Sequence, residues 1–184
     1  MTNCPTIRRI RPTDLDAVLA IAAASPQAPR WSPTAWAPYL APDPGITPGA
    51  PHLADVARCG TKDRSTLLRA AFIAVDGSGV LGFACATLLL DGQENRAELD
   101  SMAVHPAARR RGLGSNLLRA AVSWSAAQGA HSLTLEVRVS NTAAIALYQR
   151  FGLRPEGRRP RYYADPEEDA LLLATPVTID SILP

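Results

Sequence analysis

The sequence predicts a mixed α/β (α+β) fold whose strands pair mostly antiparallel, and three features carry that expectation. Two apolar runs, residues 66–75 and 80–90, are joined by Asp76-Gly77-Ser78-Gly79, a hairpin turn signal. An amphipathic stretch over residues 112–129 then separates two strand-like runs, as a crossover helix does. A shorter helix and two closing strands complete the pattern. At 184 residues the chain fits one domain, 1–184.

The elements follow in order. Residues 6–11 form a short basic strand. Thr13 and Asp14 are placed to cap a helix through Leu15, Val18, Leu19 and Ile21, whose spacing gives one apolar face. Trp31-Ser32-Pro33 opens a second helix near Trp36 and Leu40, with Ser32 as cap and Pro33 in the first turn. Over residues 41–65 the pattern fails: Pro42, Pro44, Pro48 and Pro51 sit among glycines, which reads as a long loop or lid. After the hairpin, a strand over 96–104 stops at His105-Pro106. The helix over 112–129 carries an apolar stripe of Leu113, Leu117, Ala121 and Trp124, flanked by Leu118 and Val122. A strand over 132–137 precedes a helix over 141–151, capped by Asn141 and stopped by Gly152. Strands near 155–163 and 170–177 close the chain.

Composition narrows the function. Apolar residues make up 47% of the chain, enough for a core without disulfides or metal. A net charge of +2 does not suggest a nucleic-acid binder. No apolar run is long enough to cross a membrane, and the N-terminus lacks an apolar secretion segment, so a cytoplasmic location is expected. Cys4, Cys59 and Cys85 have neither metal nor redox spacing and read as ordinary thiols; no metal site is expected.

The most informative stretch is residues 102–118, MAVHPAARRRGLGSNLL. A strand ends, three arginines follow, and Gly112-Leu113-Gly114-Ser115 opens a helix. The first backbone N–H groups of a helix have no partner within it, and the helix dipole favours an anion there. Glycines let the chain pass close to that anion, and the arginines add charge. The pattern therefore points to a di- or polyphosphate. It is not a Walker loop, since no Gly-Lys-Ser/Thr follows. It is not the dinucleotide fingerprint either, because Leu117 stands where the third glycine belongs.

Arg109-Arg110-Arg111-Gly112-Leu113-Gly114 resembles the Arg/Gln-x-x-Gly-x-Gly/Ala signature of the GNAT acetyltransferases, which holds the pyrophosphate of coenzyme A. Residues 135–153, LEVRVSNTAAIALYQRFGL, are similar to the bacterial ribosomal-protein-alanine N-acetyltransferases, as are Trp31-Ser32, Tyr162-Tyr163 and Glu168-Asp169-Ala170. The resemblance implies the GNAT fold: a central mixed, mostly antiparallel sheet, splayed between its fourth and fifth strands and flanked by about four helices. It implies acetyl-coenzyme A as co-substrate, contacted by Met102, Ala103, Val104, Arg109, Arg110, Arg111, Gly112, Leu113, Gly114, Ser115 and Asn141.

The same resemblance implies direct attack of an amine on the thioester, with Glu136 as base and Tyr148 as acid. Backbone N–H groups near Met102 to Val104 would supply the oxyanion donors. Glu136 lies on a strand whose Leu133, Leu135 and Val137 face the other way; Tyr148 lies on the next helix, on the face of Ala144 and Ile145. Glu98 and Asp100 are rival bases, read from strand alternation as sharing a face with Met102 and Val104. His105 reads as a turn residue, and His52 and His131 show no partner. Retention of both Glu136 and Tyr148 speaks against a coenzyme-A-binding module without catalysis.

The resemblance implies a primary amine as acceptor. A protein α-amine ionises near 7.7–8.0, so a weak base suffices to free it. The resemblance implies an alanine N-terminus of a ribosomal protein, held by Trp31, Tyr162 and Tyr163; a free small amine is the alternative. Arg158, Arg159 and Arg161 make the approach to the tyrosines basic and favour a peptide with an acidic residue after its first position.

Overall fold

The computed structural model describes residues 4–29, 31–41, 66–92 and 94–177. The expected loop over 41–65, with Cys59 and His52, lies almost wholly outside them. Seven strands form one sheet in the order β1-β2-β3-β4-β5-β7-β6. They are β1 (Thr6–Arg9), β2 (Thr66–Asp76), β3 (Gly79–Leu90), β4 (Arg96–Val104), β5 (Ser132–Arg138), β6 (Arg154–Ala164) and β7 (Glu167–Pro176). All neighbours pair antiparallel except β4 and β5.

The β4–β5 pairing is short. Only Arg96↔Ser132, Ala97↔Leu133 and Glu98↔Thr134 are in register. Beyond Glu98 and Thr134 the strands part, so the sheet opens toward the C-terminal ends of both. This is the splay that the family resemblance implied.

Helices cover both faces. On one side α1 (Leu15–Ala23), the 3₁₀ turn Pro33–Trp36 and α2 (Ala37–Leu40) bury Val18, Ile21, Trp36 and Tyr39 against Ile73, Phe83, Cys85 and Ala103. On the other side, α3 (Leu113–Ala127) and α4 (Thr142–Arg150) pack against the alternate residues of the same strands, among them Ala84, Leu88, Leu133 and Leu135. The stripe Leu113, Leu117, Ala121 and Trp124 is buried as its spacing predicts. Fully burying each leucine contributes about 1.5–3 kcal/mol.

Some local expectations needed correction. Asp14 does not cap α1 with its side chain. Its carboxylate instead takes two hydrogen bonds from Arg8, at 2.7 and 2.8 Å, and one from the Arg11 N–H at 2.7 Å. Arg8 thereby holds the Asp14 carboxyl below its ordinary range. The second helix is mostly a 3₁₀ turn, Pro33–Trp36, before the single turn of α2, and the Ser32 hydroxyl bonds Thr34 rather than the backbone.

A bulge matters more for function. Cys85 pairs with Ser101 but Ala86 with Leu99, so Asp100 and Ser101 together occupy one step of β4. Side-chain parity flips there. Glu98 and Asp100 face the α1–α2 side, whereas Met102 and Val104 pack into the core beneath α3. Simple alternation put all four on one face; the extra residue is what breaks it.

Candidate active site

Two sets of residues meet where the sheet opens, one from each face. The first set builds a phosphate-sized turn on the α3 side. Arg110 and Gly112 both adopt left-handed backbone conformations, with φ of 64° and 77°. Glycine is needed at 112 for that conformation and not for space, since a Cβ there would meet nothing within 4 Å. At Gly114 the reason differs: a Cβ would come within 3.2 Å of Leu147, so this glycine lets α3 lie close to α4. No side chain caps the start of α3, and its first amides point out beyond Gly112. Two of the three arginines are tethered. Arg109 donates to the Val104 carbonyl at 3.1 Å, and Arg111 pairs with Asp76 of the β2–β3 hairpin at 3.6 Å. Arg110, exposed, makes neither contact. Leu113 is buried in the core and Ser115 is half-buried. Asn141 caps α4, its side-chain oxygen accepting from the Ala144 N–H at 3.3 Å.

The second set lies on the opposite face, beneath α2 and the β6–β7 hairpin. Strand register lines up Arg69, Thr87, Glu98 and Thr134 across the sheet. Asp100 accepts hydrogen bonds from Thr87 at 2.9 Å and from the Tyr39 hydroxyl at 3.1 Å. Burial dominates over these bonds and pushes the Asp100 carboxyl up to about 6. Burial also raises Glu98, and the charge of Glu136 adds to it while Arg159 opposes. Glu136, two residues past the last β4–β5 rung, pairs with Arg159 at 2.9 Å. The Glu136 carboxylate near the Tyr162 hydroxyl, together with burial, pushes that phenol up to about 12.

The aromatic wall is built from both ends of the chain. Trp31 stacks on Tyr39 with ring centroids 5.4 Å apart, and Trp36 packs edge-on to Phe83 at 5.3 Å. A hollow of 210 Å³ is lined by Trp31, Ala35, Pro38, Tyr39 and Arg69. Across the opening, Tyr162 and Tyr163 pack edge to face at 5.1 Å, and Arg138 lies 4.1 Å over the Tyr163 ring. A bulge over residues 160–162 of β6 sets these tyrosines. Asp169 clamps that bulge, accepting from Arg158 at 2.6 Å and from the Arg161 N–H at 2.8 Å. Glu168 ties the hairpin to the start of α4 through Arg138 at 3.1 Å and the Ser140 N–H at 2.7 Å.

Tyr148 belongs to the other face. It is buried in the core beneath α4, and burial, then the nearby Tyr163, keeps its phenol protonated far above neutrality. Glu136 and Tyr148 therefore stand on opposite sides of the sheet, and the opening between β4 and β5 is where those sides communicate. His105 is a turn residue, its ring nitrogen accepting from the Ala107 N–H. Among the described residues no group of His, Cys, Asp or Glu is placed to hold a metal ion. Likewise no described helix is long and apolar enough to cross a membrane.

Comparison with known proteins places the family. The model of the acetyltransferase (GNAT) family matches residues 35–153. The chain belongs to the GNAT acetyltransferase family. A putative [ribosomal protein bS18]-alanine N-acetyltransferase of Bacillus subtilis is 36% identical over 104 residues, covering 56% of this chain and 67% of the relative. The [ribosomal protein bS18]-alanine N-acetyltransferase of Salmonella typhimurium is 40% identical over 99 residues, covering 53% of this chain and 64% of the relative. The match thus spans about two thirds of these curated relatives. Among solved structures, the ribosomal-protein-S18-alanine N-acetyltransferase of Escherichia coli superposes with a TM-score of 0.69 at 29% identity, over 95% of both chains. An Arabidopsis thaliana NAA60 structure in complex with acetyl-CoA reaches 0.73 at 18% identity, over 94% of this chain and 98% of that one, a likeness of fold.

Sequence reasoning missed Tyr39, Arg69 and Thr87 in this GNAT site. Tyr39 follows Trp36 by three residues, a helical spacing that could have flagged it; Arg69 and Thr87 needed the strand register. Reading Arg158, Arg159 and Arg161 as a free basic approach was also incomplete. Arg158 is spent on Asp169 and Arg159 on Glu136, which removes two of the three charges behind the expected acidic preference.

Proposed function

We propose that this GNAT acetyltransferase moves the acetyl group of acetyl-coenzyme A onto the N-terminal α-amine of a protein, as a single domain acting in a ternary complex. The supporting observation is the arrangement of Glu136 and Tyr148 on opposite faces of a sheet that opens between them. Coenzyme A lies on the α3 side, its pyrophosphate on the turn Arg109, Arg110, Arg111, Gly112, Leu113, Gly114 and Ser115, with Asn141 and the β4 end Met102, Ala103 and Val104 alongside. The acceptor lies on the other side, between Trp31 and Tyr39 and the pair Tyr162 and Tyr163. The acetyl carbon is reached through the opening.

In this reading Glu136 takes a proton from the incoming ammonium, the free amine attacks the thioester carbon, and backbone N–H groups near Met102 to Val104 meet the oxyanion. As the carbon–sulfur bond breaks, Tyr148 gives its proton to the departing thiolate, and the attacking nitrogen gives up its second proton to restore the phenol, leaving a neutral amide. Burial keeps the phenol protonated at neutral pH, so the proton is in place when the thiolate leaves. The ribosomal-protein-alanine relatives direct attention to an alanine-led peptide, and the aromatic side chains Trp31, Tyr39, Tyr162 and Tyr163 suit a peptide backbone. The test is mass spectrometry of an alanine-led peptide incubated with acetyl-coenzyme A, with its α-amine free or blocked and an internal lysine left free in both. Acetylation of the free peptide alone is expected. Equal acetylation of both, or turnover only of free small amines, would overturn the assignment.

A further inference from the structure

The base proposed above is already occupied by a cation that belongs to the protein. Arg159 places a guanidinium nitrogen 2.9 Å from Glu136 Oε1, while Glu136 is largely buried and Arg159 half-exposed. The Arg159 guanidinium lies 5.6 Å over the Tyr162 ring, and the charge of the same carboxylate is felt at the Tyr162 hydroxyl. The Arg159 backbone sits at the start of the β6 bulge, where the strand leaves its register with β7. An arriving α-ammonium needs that carboxylate as its partner. An arginine cannot yield it by deprotonation, since it stays charged at any working pH.

We infer that Arg159 is a positioning residue that holds the acceptor cation's place: it neutralises Glu136 in the resting site and is displaced by the substrate ammonium, one cation exchanged for another. The exchange leaves the net charge of the site unchanged. That matters here because Glu98 and Asp100 stand on the same face, and an unpaired Glu136 would join them as a third carboxylate. Binding of the acceptor is therefore a competition, and its cost is the lost Arg159–Glu136 contact. Contacts of this exposure are worth a factor of about 1.5–5 in affinity.

The inference rests on Glu136 being the base, and the experiment separates the two. In Arg159→Ala, KM for an alanine-led peptide should fall by about 1.5–5-fold, with KM for acetyl-coenzyme A unchanged. Millimolar guanidinium chloride, at ionic strength matched with sodium chloride, should then raise the peptide KM of Arg159→Ala, competitively with peptide, and leave the wild type unaffected. Arg159→Lys keeps the charge and should stay near the wild type, and a matched melting temperature shows that folding is not at issue. An unchanged or raised peptide KM in Arg159→Ala, or no response to guanidinium, overturns the exchange. If Glu136→Gln loses activity while those results hold, the base assignment stands and only the exchange falls. If Glu136→Gln is silent, both fall together.

Discussion

Asp100→Asn should make the protein more stable at neutral pH, although the carboxylate it replaces accepts two hydrogen bonds. The Asp100 carboxyl is pushed from its ordinary 3.8 to about 6, chiefly by burial. A carboxyl that is harder to ionise when folded binds more protons in the native state than in the unfolded one between those values. Stability from this group is therefore present at low pH, declines as pH rises from about 4 to 6, and is missing above. The shift corresponds to about 3 kcal/mol forgone by the ionised protein. An asparagine side chain keeps an oxygen for Thr87 and Tyr39 and carries no charge to desolvate. The difference between variant and wild type should be near zero at pH 4, grow through pH 4–6, and level off near 3 kcal/mol, roughly 6–12 °C in melting temperature for a chain of this size. Comparing the two proteins at each pH cancels the contribution of Asp14, Asp76, Glu168 and Asp169, whose lowered pKa values act in the opposite direction. Thermal melts from pH 4 to 8 read this directly. A variant less stable than wild type at pH 7.5, or a difference that ignores pH, would show that hydrogen bonding outweighs burial at this site. Loss of turnover in Asp100→Asn, with Glu136→Gln active, would instead move the base to Asp100.

Tyr148→Phe should lower kcat by roughly 10²–10⁴-fold with little change in KM for acetyl-coenzyme A, measured by steady-state kinetics, because the proton is needed only as the thiolate leaves. Wild-type kcat should show no alkaline fall from this phenol within the usual range, since burial holds its titration above it. Gly112→Ala should lower stability by about 1–2 kcal/mol, the cost of a left-handed alanine, and raise KM for acetyl-coenzyme A. An unaltered urea midpoint would mean that the turn has relaxed.

Much of the architecture was legible in the chain itself. Strands β2 and β3 with their turn, the stripe of α3, the Asn141 cap and the alternation of β5 all follow local rules of period and capping, and they stand close to where those rules put them. What escaped was set by contacts distant in sequence. Asp100 reads as an ordinary strand residue until β3 shows that it is the extra one. Tyr39 reads as part of an apolar helix until Asp100 is found 61 positions later. The arginines read as loose charge until Asp76, Asp169 and Glu136 are seen to hold three of them. Residue types announced the chemistry, and the register of the sheet decided which of them share a face.

The short ladder between β4 and β5 has a consequence for anyone wishing to block the enzyme. If coenzyme A and the acceptor lie on opposite faces as proposed, an inhibitor that spans both must pass a seam that opens directly beyond the Glu98–Thr134 rung. Neighbouring backbones at such a rung stand about 4.8 Å apart. On the proposed reading, a bridging portion that passes close to that rung has to be slender, whatever bulk is hung at either end. Design against such a site would be free at the two mouths and confined in the middle, and the bulk facing Trp31 and Tyr162 is the part to vary.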